Sequence, residues 1–159
     1  MTKAYLYLAL FVTQASSAFG QGELNAFKSI TLKQIQATLE PIKERTLEIN
    51  ASNNEQNQIP AGTILVYRTN AGNFGKAVIL DYDYNLTLLW VTFRSDGSLL
   101  KESGRTVLRG TWTFDFDTGQ QGEGTPDVWW QQKTKTERAW TTRGKAIFAI
   151  YTGGMPAVP

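Results

Sequence analysis

The spacing of apolar residues divides the chain into an apolar head, a stretch with helical period and a long series of runs with strand period. Residues 4–12 form an uninterrupted apolar run, preceded by Lys3 and followed by the small residues Ala15-Ser16-Ser17-Ala18. The run is too short to cross a bilayer, which takes ~20 apolar residues. A charged, then apolar, then small-residue order is that of a secretory signal peptide, here 1–20 with a cut after Ala18 or Gly20.

Leu32, Ile35, Leu39 and Ile42 recur at spacings of three and four, one face of a helix. They predict a helix over 23–43 within a helical segment spanning 21–50. Thr31 followed three residues on by Gln34 is a capping box that starts the helix there, and Pro41 ends or kinks it near Glu40. Phe27 and Ile30 belong to a preceding turn or to a longer helix. Residues 51–60 are largely polar, show no apolar period and read as a linker.

From 61 to 152, short apolar runs alternate with Gly, Asn and Asp turn signals. Strands are predicted over 63–69, 76–81, 84–93, 111–117, 128–133, 137–141 and 145–151, with weaker ones over 99–102 and 106–109 on either side of Gly104. In 84–93, Leu86, Leu88 and Trp90 share one face, and Thr87, Leu89, Val91 and Phe93 the other. Apolar residues on both faces mark a central strand. In 111–117, Trp112, Phe114 and Phe116 alternate with Thr111, Thr113, Asp115 and Asp117. The fold class expected is mainly β, a single antiparallel β-sandwich or small barrel, with one N-terminal α-helix after the signal peptide and a loose tail over 153–159.

The double tryptophan Trp129-Trp130 carries the sharpest functional signal. Neighbours on a strand point to opposite sides, so if one indole is core the other is not. Val128 and Trp130 form the more apolar face and suit the core. Asp127, Trp129 and Gln131 form the other, and an acid, an indole and an amide together offer a stacking plane with hydrogen-bonding groups, the mix of a saccharide site. These three are the candidate ligand-binding residues, and the preceding loop 122–126 is expected to shape their rim.

Composition removes several chemistries. With 42% hydrophobic residues the 159-residue chain has enough apolar material for a packed core. Its 16 basic and 14 acidic side chains give a formal charge of +2, and no dense Lys/Arg run appears, so no nucleic-acid partner is expected. It has neither Cys nor His. Disulfides, thiolate nucleophiles, His-dependent triads and Cys- or His-ligated metals are therefore excluded. Oxygen-ligand cations and two-carboxylate chemistry stay open, with Asp81/Asp83, Asp115/Asp117 and Glu137 as the acids. Acids at strand ends and turns are the simpler reading of both pairs, and neither a metal nor a cofactor is expected.

These features point to a secreted or periplasmic, non-enzymatic β-domain binding module whose partner is a glycan or another protein. The alternatives are a structural subunit of a secreted complex and a carboxylate-dependent glycoside hydrolase. No integral membrane segment is expected after signal cleavage.

Overall fold

Thr31 divides the predicted helix in two. In the computed structural model, which describes residues 20–153, α1 spans Gln21–Ser29 and α2 spans Leu32–Leu39. Between them Ile30 and Thr31 are extended, with ψ of 120° and 159°. The Thr31 hydroxyl accepts the Gln34 N–H at 3.3 Å, and the Thr31 N–H donates to Gln34 Oε1 at 2.8 Å, so both halves of the capping box are present. The same extended Thr31 that opens α2 forbids α1 from running into it. The expectation of one N-terminal helix is corrected to two. The signal peptide expected over 1–20 lies outside the described residues except for Gly20, as does the tail beyond Gly153.

Nine strands follow: β1 (Glu48–Asn50), β2 (Ile64–Arg68), β3 (Phe74–Tyr82), β4 (Leu86–Phe93), β5 (Leu99–Leu108), β6 (Thr113–Phe114), β7 (Val128–Gln132), β8 (Arg138–Thr142) and β9 (Ile147–Ile150). They form two antiparallel sheets, ordered β1-β8-β7-β6 and β5-β4-β3-β2-β9. Neither sheet closes on itself, so among the described residues there is no barrel and the two-sheet, sandwich-like arrangement remains. The two weak strands around Gly104 are one strand, β5, whose register against β4 shifts between Leu88 and Trp90.

One core lies between the sheets. Tyr67, Leu88 and Trp90 enter it from the larger sheet, Val128, Trp130 and Trp140 from the smaller, and Phe114 and Phe116 meet them. Trp90 packs edge-on against both phenylalanines, with ring centres 5.5 Å apart. Such pairs each add about 0.5–1.5 kcal/mol to simple burial. A second core covers the opposite face of the larger sheet, where Phe27, Ile30, Ile35 and Leu39 pack on Val66, Val78 and Val91. Helix α2 lies over β2, β3 and β9, and α1 over β3. This three-layer order is why 84–93 is apolar on both sides.

Three details fasten the layers. Tyr67 stands across from Gly75 in the β2–β3 ladder, and a Cβ at Gly75 would overlap Cζ, Cε2 and Oη of its ring. The phenol donates to Val91 O at 3.1 Å and lies 2.9 Å from Thr92 Oγ1, while burial pushes it well above its usual pKa. From the other face of β3, the buried Lys76 ammonium donates to the carbonyls of Phe27 (2.5 Å), Lys28 (3.2 Å) and Ile30 (2.7 Å). A cation there satisfies the orphan carbonyls at the α1 C-terminus, although burial lowers its pKa to about 8. Lastly, residues 51–60 form no strand, yet they are stitched to the smaller sheet. Ala51 N–H donates to Arg138 O at 3.0 Å, Asn53 N–H to Thr136 O at 2.7 Å and Gln58 N–H to Asn50 O at 2.8 Å, with Ala51 and Ile59 wholly buried.

Candidate functional site

Strand β7 alternates as its sequence requires. Val128 and Trp130 are fully buried, whereas Trp129 and Gln131 are half-buried on the outer face of the smaller sheet. Thr113 of β6 and Thr141 of β8 flank Trp129 in the ladder. The indole is held in place: its Nε1–H donates to Thr111 O at 3.0 Å, and the Arg143 guanidinium lies 5.5 Å from the ring centre.

A second indole borders the same space. The alternation of 111–117 groups Trp112 with Phe114 and Phe116, and both phenylalanines are fully buried, but Trp112 is 42% exposed. The pattern fails there because β6 starts only at Thr113. Residues 109–112 form a turn closed by Trp112 N–H to Arg109 O at 2.9 Å. Arg109 lies over the exposed indole, 5.1 Å from its centre. The backbone of Gly122 (φ +77°) also approaches this indole so closely that a Cβ would stand 2.9 Å from Cε3 and Cζ3. Only glycine allows both that φ and that approach.

Trp112, Trp129, Thr111, Thr113, Glu123 and Arg143 thus surround an open cleft of about 490 Å³. Gly122 and Glu123 come from the 122–126 loop expected at the rim. Gln121 anchors that loop, accepting the Arg109 N–H at 3.0 Å and donating to Val107 O at 2.9 Å.

Of the three candidate ligand-binding residues, the cleft takes only Trp129. Gln131 shares its face but lies outside the lining. Asp127 is elsewhere: it precedes β7, so strand alternation does not reach it, and it has no exposed surface. Its Oδ1 accepts from Asn70 N (2.7 Å) and Asn70 Nδ2 (3.0 Å), and its Oδ2 from Phe116 N (2.8 Å). Asp127 thereby ties the β2–β3 turn to the end of β6. Burial pushes its carboxyl up to about 6; the bonds from Asn70 and Phe116 oppose the shift, and Asp117 and Asp115 add to it.

The other acids divide. Asp81 and Asp83 are exposed, and Asp83 pairs with the buried Arg138 at 2.8 Å. Glu137 is exposed in the β7–β8 connection. Asp115, Asp117 and Asp127 each bring one oxygen within 4.8 Å of the others. Most of that oxygen is already used. Asp117 Oδ1 accepts from Thr69 Oγ1 (3.0 Å) and Asn73 Nδ2 (2.9 Å), and Asp115 Oδ1 accepts the N–H groups of Asp117 (2.8 Å) and Thr118 (3.3 Å). Oδ2 of Asp115 and of Asp117 are left over among the described residues. They are two ligand atoms for a hard cation, where Ca²⁺ takes about six to eight.

The residues missed from sequence are Trp112 and Arg143. The Arg109-Gly110 pair ahead of Trp112 was the available signal, since a turn there resets the strand alternation. Arg143 follows β8 and meets Trp129 only through the β7–β8 register, which periodicity does not encode. Among the described residues no helix is long and apolar enough to cross a membrane. No protein-family model, curated protein or solved structure matches this chain.

Proposed function

We propose that this chain is an exported, non-enzymatic binding domain that holds a saccharide in the cleft between Trp112 and Trp129. The observation that carries the reading is the pair of accessible indoles around one polar-rimmed cleft. A large apolar side chain left in water forgoes roughly 1.5–3 kcal/mol of burial, and Trp112 forgoes part of that at 42% exposure. The C–H face of a pyranose stacks on an indole, while the hydroxyls of Thr111 and Thr113, the Glu123 carboxylate and the Arg143 guanidinium suit its hydroxyl groups. Trp129 is also fixed in place by its bond to Thr111 O, which lowers the entropic cost of binding. Export rests on the order of charged, apolar and small residues over 1–20.

Two other readings have less behind them. A two-carboxylate hydrolase needs a second acid beside its first, and Glu123 is the only carboxylate among the residues lining the cleft. An assembly subunit would use the open edge of β5, where Leu99 and Val107 are exposed. That edge carries a register shift and the charges of Lys101, Glu102 and Arg105, devices that discourage edge pairing.

The test is binding of the folded protein to a panel of immobilised glycans, beside Trp112→Ala and Trp129→Ala. Retention on a subset of glycans, lost in Trp112→Ala at an unchanged thermal midpoint, is expected. Absence of retention on every glycan, or retention indifferent to both substitutions, overturns the proposal.

A further inference from the structure

Two arginines lie over the two indoles of the cleft, and neither is neutralised among the described residues. The guanidinium carbons of Arg109 and Arg143 lie 5.1 Å and 5.5 Å from the ring centres of Trp112 and Trp129. The ion pairs among the described residues are Lys133–Glu48 and Arg138–Asp83, so neither arginine has a carboxylate partner there. Their side chains also donate no hydrogen bond among the described residues; the bonds recorded at these positions are made by the main chain, Arg143 N–H to Asp127 O at 2.8 Å and Arg109 N–H to Gln121 Oε1 at 3.0 Å. Glu123 lines the same cleft without pairing with either.

A guanidinium carries five N–H donors in a rigid fork, and an indole beside it consumes none of them. The cation–π contact restrains the side chain before a ligand arrives. An exposed, restrained and unpaired guanidinium beside an indole is a fork for a planar or tetrahedral oxyanion. A neutral sugar would leave that fork largely unused.

We infer that the saccharide is acidic: a pyranose carrying a carboxylate or a sulfate, with its ring on the Trp112 indole and its anionic group on Arg143. This rests on the saccharide reading above and adds the charge of the ligand to it. Hexuronate and sulfate ester present the same chemistry to Arg143.

The experiment uses matched polymers that differ in charge alone: polygalacturonate against its fully methyl-esterified form, and dextran sulfate against dextran. Binding is measured at physiological salt for the wild-type protein, Arg143→Gln, Trp112→Ala and Arg105→Gln, the last on the exposed edge strand of the other sheet. The wild-type protein is expected to prefer one charged polymer over its neutral match by about tenfold, the worth of one charge-assisted hydrogen bond; the pair that responds identifies carboxylate or sulfate. Arg143→Gln should abolish the preference, and Arg105→Gln should keep it. Equal binding of charged and neutral polymers, lost in Trp112→Ala but not in Arg143→Gln, overturns the acidic ligand and leaves the saccharide reading intact. Equal weakening by Arg143→Gln and Arg105→Gln makes the binding a general charge effect and also overturns it. No binding of any polymer overturns the saccharide reading itself.

Discussion

Replacing Gly75 by Ala adds one methyl group where the Tyr67 ring already lies. The Cβ would overlap three ring atoms, among them Oη, and this ring is not the free end of a flexible side chain. Tyr67 is wholly buried, with Phe116 and Phe148 at ring-centre distances of 4.4 Å and 5.5 Å, and its hydroxyl is tied to Val91 O and Thr92 Oγ1. Moving it strains a full core, at about 1–3 kcal/mol, and breaks a buried hydrogen bond, at about 1–3 kcal/mol more. Gly75→Ala should therefore destabilise the domain by about 2–6 kcal/mol, although Ala is the better strand residue. Urea unfolding followed by tryptophan fluorescence measures this, with the midpoint falling and the slope unchanged. Tyr67→Leu removes the obstructing ring atoms. In that background Gly75→Ala should be neutral or stabilising by about 0.4–1 kcal/mol, the gain of restricting the unfolded chain. A loss of the same size in both backgrounds, or one below about 0.5 kcal/mol in the wild type, refutes the reasoning.

Leu88 is wholly buried between the sheets, and Leu88→Ala should cost about 2–5 kcal/mol in the same assay. Lys76 releases its proton at about pH 8 when folded but at ~10.4 when unfolded. The unfolded chain then binds more protons, so between about pH 8 and 10 the wild type should gain stability relative to Lys76→Met, read from urea midpoints across pH. Asp127 has the opposite sign: folded, it keeps its proton to about 6, and unfolded only to ~3.9. Between about pH 4 and 6 the wild type should lose stability relative to Asp127→Asn as pH rises. N-terminal sequencing of exported protein should begin at Phe19 or Gln21, and an intact Met1 on exported, folded material would contradict the leader.

Local chemistry and alternation were legible where one segment determines its own structure. The capping box at Thr31 and Gln34 is built as read, and the two apolar faces of 84–93 follow from the helices on one side of the larger sheet and the smaller sheet on the other. The alternation of Val128, Trp129 and Trp130 put one indole of the cleft on the outer face. Features needing two distant segments were not legible. Asp127 looked like a neighbour of Trp129 because alternation was carried one residue past the start of β7; three N–H donors from Asn70 and Phe116 draw it inward instead. Asp115, Asp117 and Asp127 converge through the long connection after β6. Strand β1 exists because β8 offers it an edge, and its three residues have no period of their own.

The stitching of residues 51–60 bears on how this chain meets proteases. By composition the stretch resembles the exposed polar connections that are cut first. A protease needs a segment it can draw out into its own active site, and here the amides of Ala51, Asn53 and Gln58 are already bonded while Ala51 and Ile59 are wholly buried. Cutting at either end of the stretch requires the β1–β8 edge to open first, so susceptibility there follows the opening equilibrium of that edge, while Asn53, Asn54, Glu55 and Gln56 between them are exposed. With no disulfide to hold the fragments together after a nick, endurance against proteases rests on how seldom that edge lets go.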